Sequence, residues 1–280
     1  MDRALRRKLT NGIFVGACGL ATFIALAALV LILWSLVKEG VGGIDANIFT
    51  MTQPAPGSPG GLKNAITGSI LMCAGGMAIA IVVGILAGTW LAEYGGQTPY
   101  GHAVRFLNDV LLSAPSILIG LFVYEIMVAH LFGHFSGYAG ALALALLAVP
   151  IVTRTTEDML ALQPNTLREA GMALGAGRGF VIRSIIWKAA SAGLLTGGLL
   201  GFARISGETA PLLFTSLGNQ FFSLNMAQPM ASLPTTIFQF ALSAYDDWRR
   251  LAWVGALLIA VAVLAVNTIG RLLARETHRP

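Results

Sequence analysis

Charge is what this 280-residue sequence has least of. Charged side chains make up 11% of it, with 18 Lys+Arg against 13 Asp+Glu for a formal net charge of +5. Soluble globular chains carry about 25%. Hydrophobic residues reach 56%, and mean hydropathy is +0.75. A disordered chain, which needs polarity to stay in water, is excluded, and so is an ordinary water-soluble enzyme. Cysteine is nearly absent: Cys18 and Cys73 both lie in apolar runs, so a disulfide scaffold is excluded as well. Catalytic signatures are also missing. The sequence holds no Gly-x-Ser-x-Gly elbow, no His-Glu-x-x-His and no P-loop. Of its four histidines none lies in mid-span, and His130 and His134 read as an interfacial pair at a helix end. With so few charges, the basic excess is a signature of membrane orientation and not of nucleic-acid binding.

What is present is long apolar runs. A helix crossing a hydrocarbon core of roughly 30 Å needs about 20 mostly apolar residues. Six segments qualify: 13–37, 65–92, 104–132, 138–160, 190–215 and 251–273. The expectation is an all-α membrane protein with six transmembrane helices. The first run is long for a signal peptide and lacks a convincing small-residue cleavage site, so it is read as an uncleaved anchor. Pro115, Gly120 and Pro150 fall inside runs, where neighbouring helices can satisfy the backbone groups they free. The chain divides into 1–64, holding the tail, anchor and an outer Gly/Pro-rich loop, and 65–280, holding the transmembrane core.

Six crossings put both termini on one side of the bilayer. The tails and the loops on that side hold 12 basic residues, among them Arg3, Arg6, Arg7, Lys8, Arg168 and Arg279. The other side holds four, Lys38, Lys63, Arg249 and Arg250, and Asp246 and Asp247 offset the last two. The bias places both termini in the cytoplasm. The outer segment 216–247 carries Phe221, Phe222, Leu224, Ile237, Phe238 and Phe240, too apolar for a solvated loop. It is expected to fold back on the spans with a short helix after Pro234. The other reading is an extracytoplasmic docking surface.

The cytoplasmic loop at about 163–188 is the most specific stretch. Asn165 or Thr166 is expected to cap a short helix, with Glu169 in its first turn, where the dipole favours an anion. Gly175 and Gly177 stop it. On physical grounds this helix is equally a docking element for another protein or a plain connector.

Glu169-Ala170 followed by Gly175 resembles the Glu-Ala-Ala…Gly signature of ABC-importer permeases. Two positions depart from it: Gly171 stands where a second Ala is usual, and Trp187-Lys188 where Leu-Pro is usual. Further strings are similar to the phosphate-specific permeases of that family: 113–122 (SAPSILIGLF), 149–157 (VPIVTRTTE), 203–214 (ARISGETAPLLF) and 228–234 (QPMASLP). The resemblance covers about residue 60 to the C-terminus. It implies the ABC type I importer permease fold in the bacterial cytoplasmic membrane. It implies that Glu169, Ala170, Gly171 and Gly175 belong to a helix that couples to an ATPase dimer. The implied partners are that dimer, a second permease subunit and an extracytoplasmic phosphate-binding protein. ATP and Mg are then used by the ATPase, and this chain binds no cofactor of its own.

Few charges remain inside the spans, and each needs a reason. Arg204 lies roughly 20 Å into the fifth run at 1.5 Å per residue, too deep to reach water easily. Glu208, one helical turn on, is its evident partner. Two readings stand, a static pair joining helices or a gated anion site, and the phosphate resemblance favours the second. Ser206 and Thr209 are candidate hydroxyl donors on other faces of that helix. Arg154 is either an inner lining residue paired with Glu157 or Asp158, or an interfacial anchor. Glu125 is read as part of a structural pair or as the neutral acid, because a carboxylate repels phosphate, and Asp109 as interfacial. The rival from another class is a secondary anion transporter driven by an ion gradient, which would show inverted repeats; none is evident.

Overall fold

The computed structural model describes residues 3–276, without the side chains at 5, 9 and 273–276. Arg279, one of the basic residues that orient the chain, lies outside the described residues. The described residues are helical or irregular throughout. Four helices are long and apolar enough to cross a membrane. They are α1 (Arg3–Gly42), α3 (Lys63–Trp90, extended by a π-helical turn Leu91–Gly95), α6 (Gly137–Ala161) and α13 (Asp246–Glu276). The number becomes six only if each of two bent helix pairs counts as one span. A short α2 (Asn47–Thr50) lies in the segment expected to be a plain loop, and its Ile48 is buried.

The third expected span is itself one of the two bent pairs, and the second pair bends where the fifth expected span begins. The third run divides into α4 (Pro99–Ser113) and α5 (Ser116–Val123, continuing as a π-helix Tyr124–Phe132), at 105° to each other. The cause is local. Pro115 has no N–H to donate, and its ring drives the preceding Ala114 to an extended ψ of 135°. The fifth run bends away from the loop at its first residue and is broken once within. The loop helices α8 (Arg178–Val181) and α9 (Trp187–Ala189) lie on either side of a π-helical turn (Ile182–Ile186). That helical unit, 178–189, meets α10 (Ser191–Ile205) at 73°. After α10 the chain leaves helical geometry at 206–209 and resumes in α11 (Ala210–Thr215), which has Pro211 in its first turn. A proline is tolerated there because that N–H has no intrahelical partner.

Helices α3 and α6 form the spine and run parallel. Gly76 of α3 faces Leu144 and Ala145, Gly84 faces Val152, and Gly88 faces Thr153 and Thr156. A Cβ at Gly84 would lie 2.6 Å from Val152 Cβ, so the backbones touch only because the side chain is missing. Helix α6 answers with Ala141, Ala145 and Ala148. Lipid gives two helices no hydrophobic reason to pair, so close packing of small residues is what holds such an interface. Helix α10 packs antiparallel on α6, with Gly193, Gly197 and Gly201 against Met159, Thr155 and Val152. Met72, Ile119, Leu144, Leu147, Ile205 and Leu212 close the core between α3, α5, α6, α10 and α11.

One end of the bundle carries residues 161–190 and is called the loop end; the opposite end carries 43–62, 133–136 and 216–245. At that opposite end α12 (Leu233–Ala241) begins one residue before Pro234, with a capping box between Ser232 and Thr235. Its Leu233 and Phe240 pack with Ile48, Leu62, Leu251 and Val254 in a second core. Folding back is thus observed for 230–241, while Phe221 and Leu224 stay exposed. Helix α1 is exposed along nearly all its length; near its end Gly40 meets Leu257 of α13, and Gly43, just beyond it, meets Val254.

Candidate functional site

Two places gather the residues singled out by the sequence. The first is the loop end. Helix α7 (Asn165–Ala173) begins after Pro164, with no side-chain cap, so neither Asn165 nor Thr166 caps it. Glu169 is its fifth residue and not part of the first turn, because the helix starts at Asn165 itself, directly after the proline. The stop is as expected: Gly175 takes φ +82°, and its N–H bonds back to the Met172 carbonyl. Gly171 is buried against α8 and the turn after it, and a Cβ there would lie 2.8 Å from Val181 Cγ2. Glycine gives up about 1 kcal/mol of helix propensity relative to Ala. It avoids an overpacked contact that costs about 1–3 kcal/mol, so the departure from the usual Ala suits this packing. Glu169 and Ala170 are exposed, as are Met172, Leu174 and Phe180 nearby.

What fixes this helix is a residue that sequence reading passed over. Glu93, buried in the π-helical turn after α3, receives Arg168 in a forked contact. Arg168 Nη2 reaches Oε1 at 2.6 Å, and Nε lies 3.1 Å from both carboxylate oxygens. Arg168 also donates to the carbonyls of Leu160 (2.8 Å) and Gln163 (2.7 Å). Arg178 donates to the Glu93 carbonyl and lies over the Tyr94 ring at 4.5 Å. The available signal was a lone acid closing a long apolar run. Nearby, Arg105 of α4 bonds Glu157 of α6 at 2.6 Å. That leaves Arg154 to pair with Asp158 (3.3 Å), both about half exposed.

The second place is the break after α10. Arg204, in the last turn of α10, forms an ion pair with Glu208, which sits in the non-helical stretch 206–209. The two ends of the pair differ in exposure. The Glu208 side chain is 7% exposed and that of Arg204 50%. A buried carboxylate thus holds a guanidinium that faces out of this chain. Beyond the break, α11 is pinned to α5, where a Cβ at Gly120 would lie 2.6 Å from Pro211 Cα. The strings 113–122 and 203–214 therefore meet in space. Met230 of the string 228–234 shares their core with Ile119 and Leu212; its N–H bonds the Ser216 carbonyl just past α11 (3.1 Å), and the Leu233 N–H bonds Ser69 Oγ of α3 (2.7 Å).

The structure does not bring all the candidates together. The Ser206 hydroxyl donates to the Phe202 carbonyl at 2.6 Å and lines an apolar crevice with Phe202, Cys73 and Ile70. Thr209 is half-buried at the start of α11. Arg154 lies roughly 10 Å from the loop end of α6 and Arg204 roughly 20 Å into α10, at 1.5 Å per residue. They therefore stand at different depths, each with its own acid. Glu125 is exposed at the opposite end, 3.4 Å from His130.

The sequence matches the family described as "Binding-protein-dependent transport system inner membrane component" over residues 80–279. The chain is 52% identical over 266 residues to the phosphate transport system permease protein PstA of Haemophilus influenzae, covering 95% of this chain and 94% of that one. It is 35% identical to the probable phosphate transport system permease protein PstA of Methanocaldococcus jannaschii, covering 93% and 92%. Among solved structures, a bacterial ABC transporter that imports the acidic polysaccharide alginate aligns with a TM-score of 0.67 at 11% identity, covering 99% of this chain and 100% of that one. An inward-facing MetNI methionine ABC transporter aligns with a TM-score of 0.64 at 18% identity, covering 77% and 95%. These establish the ABC type I importer permease fold in a multi-pass membrane protein. With the family model matching residues 80–279 and likeness to these relatives over nearly full length, the chain belongs to the binding-protein-dependent transport permeases, in the group of the phosphate transport system permease proteins PstA.

Proposed function

We propose that this chain is a membrane-spanning subunit of an ATP-driven importer of inorganic phosphate in the bacterial cytoplasmic membrane, with both termini in the cytoplasm. It forms the translocation path with a second permease subunit and takes energy from an ATPase dimer docked on α7. An extracytoplasmic binding protein delivers the phosphate. The observation that carries the reading is the Arg204–Glu208 pair at the break of the fifth span. A guanidinium offers a planar fork that matches phosphate oxygens and is always charged. Its exposure on the surface of this chain suits a path shared with another subunit. Glu208 holds Arg204 when no anion is present and yields it when phosphate arrives, so the guanidinium has an anionic partner in both states. Thr209, at the start of α11, is a candidate hydroxyl donor beside that exchange, and Arg154 a candidate lining residue nearer the cytoplasm.

The deciding experiment reconstitutes the complex in vesicles with ATP inside, labelled phosphate outside and no ion gradient. Uptake that requires the ATPase and binding protein is the expected result. Uptake by this chain alone, driven by a gradient, would overturn the reading in favour of a secondary transporter. The docking role has its own test. Glu169→Lys reverses an exposed charge beside Ala170 and Met172 on the face that α7 presents. A reversed charge at an interface costs several kcal/mol through like-charge contact and leaves the fold of this chain intact. The ATPase is expected to be lost on co-purification while the permease subunits remain paired; retention of the ATPase would remove Glu169 from the interface.

A further inference from the structure

Three side chains from three separate helical pieces of the 163–188 loop converge on one turn of α3. Arg168 of α7 forks onto the Glu93 carboxylate. Arg178 of α8 donates to the Glu93 carbonyl. Trp187 of α9 donates from its indole N–H to Thr89 Oγ1 at 3.1 Å. Thr89 and Glu93 are four residues apart, so both lie on one face at the loop end of α3. The loop is covalently continuous with α6 and α10, and Arg168 also donates to the carbonyls of Leu160 in α6 and Gln163 just beyond it, yet its ion pair runs to a helix the loop is not joined to.

Each of the two covalent routes passes through a break in helical geometry. On the α6 side the chain passes Gln163-Pro164, with Pro164 in extended geometry before α7 begins. On the α10 side it turns through 73° at Ala190. Each joint absorbs rotation in a few backbone dihedrals, as hinges do. The Arg168–Glu93 contact is of a different kind. Its two side chains are 18% and 3% exposed. A buried forked pair has one good geometry and is costly to break, so its partners move together. From there the glycine-lined contact of α3 with α6 reaches the core of the bundle.

We infer that Glu93 and Arg168 are a positioning pair through which displacement of the loop is delivered to α3, and so to the translocation path. The inference rests on the reading of α7 as the ATPase docking helix. Without the pair, the ATPase still engages α7 and hydrolyses ATP, but the stroke dissipates at the Pro164 and Ala190 joints.

The test uses the complete reconstituted importer and reads phosphate uptake and ATP hydrolysis on the same vesicles. In Glu93→Gln and in Arg168→Lys, which keeps the charge but loses the fork, the ATPase is expected to co-purify and hydrolysis to continue. ATP consumed per phosphate imported should rise about tenfold, within the range of typical coupling free energies. The exchange Glu93→Arg with Arg168→Glu should bring the ratio part of the way back. Should Glu93→Gln fail to assemble, Arg168→Lys carries the test. Uptake and hydrolysis falling in proportion would reduce the pair to a structural strut and overturn the inference. So would an unchanged ratio in a complex whose wild type is coupled. A wild-type complex that takes up phosphate without ATP would overturn the docking reading, and the inference with it.

Discussion

Arg204→Ala is expected to cut phosphate uptake at least about 30-fold, the equivalent of ~2 kcal/mol for removing one partner of a buried charged contact. The complex should still assemble, because Arg204 packs nothing that the alanine would leave empty in the core of this chain. Loss of uptake alone would not separate the two readings of the pair. A static strut also fails when its arginine goes, since Glu208 is left as a buried, unpartnered carboxylate. The double variant Arg204→Ala/Glu208→Gln separates them. It removes the stranded charge, so a strut should recover most of its function. Half-exposed ion pairs contribute little on their own, about 0–1 kcal/mol, and the double variant would then sit near wild type. If the guanidinium handles the anion, the double variant stays as inactive as the single one. Arg204→Lys should fall between, with charge retained and the planar fork lost. Normal uptake in Arg204→Ala would remove the residue from the mechanism.

The second large effect is on the fold. Gly88→Val is expected to destabilise the chain by about 3 kcal/mol or more. A Cβ there would lie 2.5 Å from the Thr153 carbonyl oxygen and 2.6 Å from Thr156 Cβ, before the valine branches are counted. Neither neighbour is the free end of a flexible side chain, so the two helices must separate. In detergent the midpoint of thermal unfolding should drop by about 5–10 °C, or the protein should fail to accumulate. Gly198→Ala is the matched control. At position 198 of α10 a Cβ would meet nothing within 4 Å, so the midpoint should move by less than about 2 °C. Equal effects at the two positions would show that the α3–α6 contact is not where stability resides.

The sequence made the membrane class, the approximate spans and the short helix near Pro234 legible, because apolar length and proline position act locally. It also marked Arg204 and Glu208, because a charge inside an apolar run stands out against its neighbours. It did not reveal that two of the runs are broken. Hydropathy measures burial in lipid and is blind to direction, so Pro115 read as a tolerated proline and 206–209 as continuous helix. The cap at Asn165 or Thr166 failed for a related reason: several residues can start a short helix, and the backbone at Pro164 decided which. Glu93 was invisible for a different one. Its importance comes from Arg168, 75 residues away in sequence, and a single acid at the end of a span is ordinary until its partner is known. Ser206 carries a hydroxyl of the right kind, but helix geometry directs it to the Phe202 carbonyl and an apolar crevice.

The parallel pairing of α3 and α6 sets a timetable for synthesis. Gly84 meets Val152 and Gly88 meets Thr156, and 152 − 84 and 156 − 88 both give a separation of 68 residues. Two parallel crossings cannot pair until the chain between them has returned through the bilayer. At ribosomal speeds of ~5–20 residues per second, the glycine stripe of α3 waits roughly 3–14 s for its partner. During that interval its closest-packing surface lies open to lipid and to the insertion machinery. This close-packed seam is therefore not sewn as α3 emerges, and a ribosome pause between residues 96 and 160 would lengthen the time it stays open.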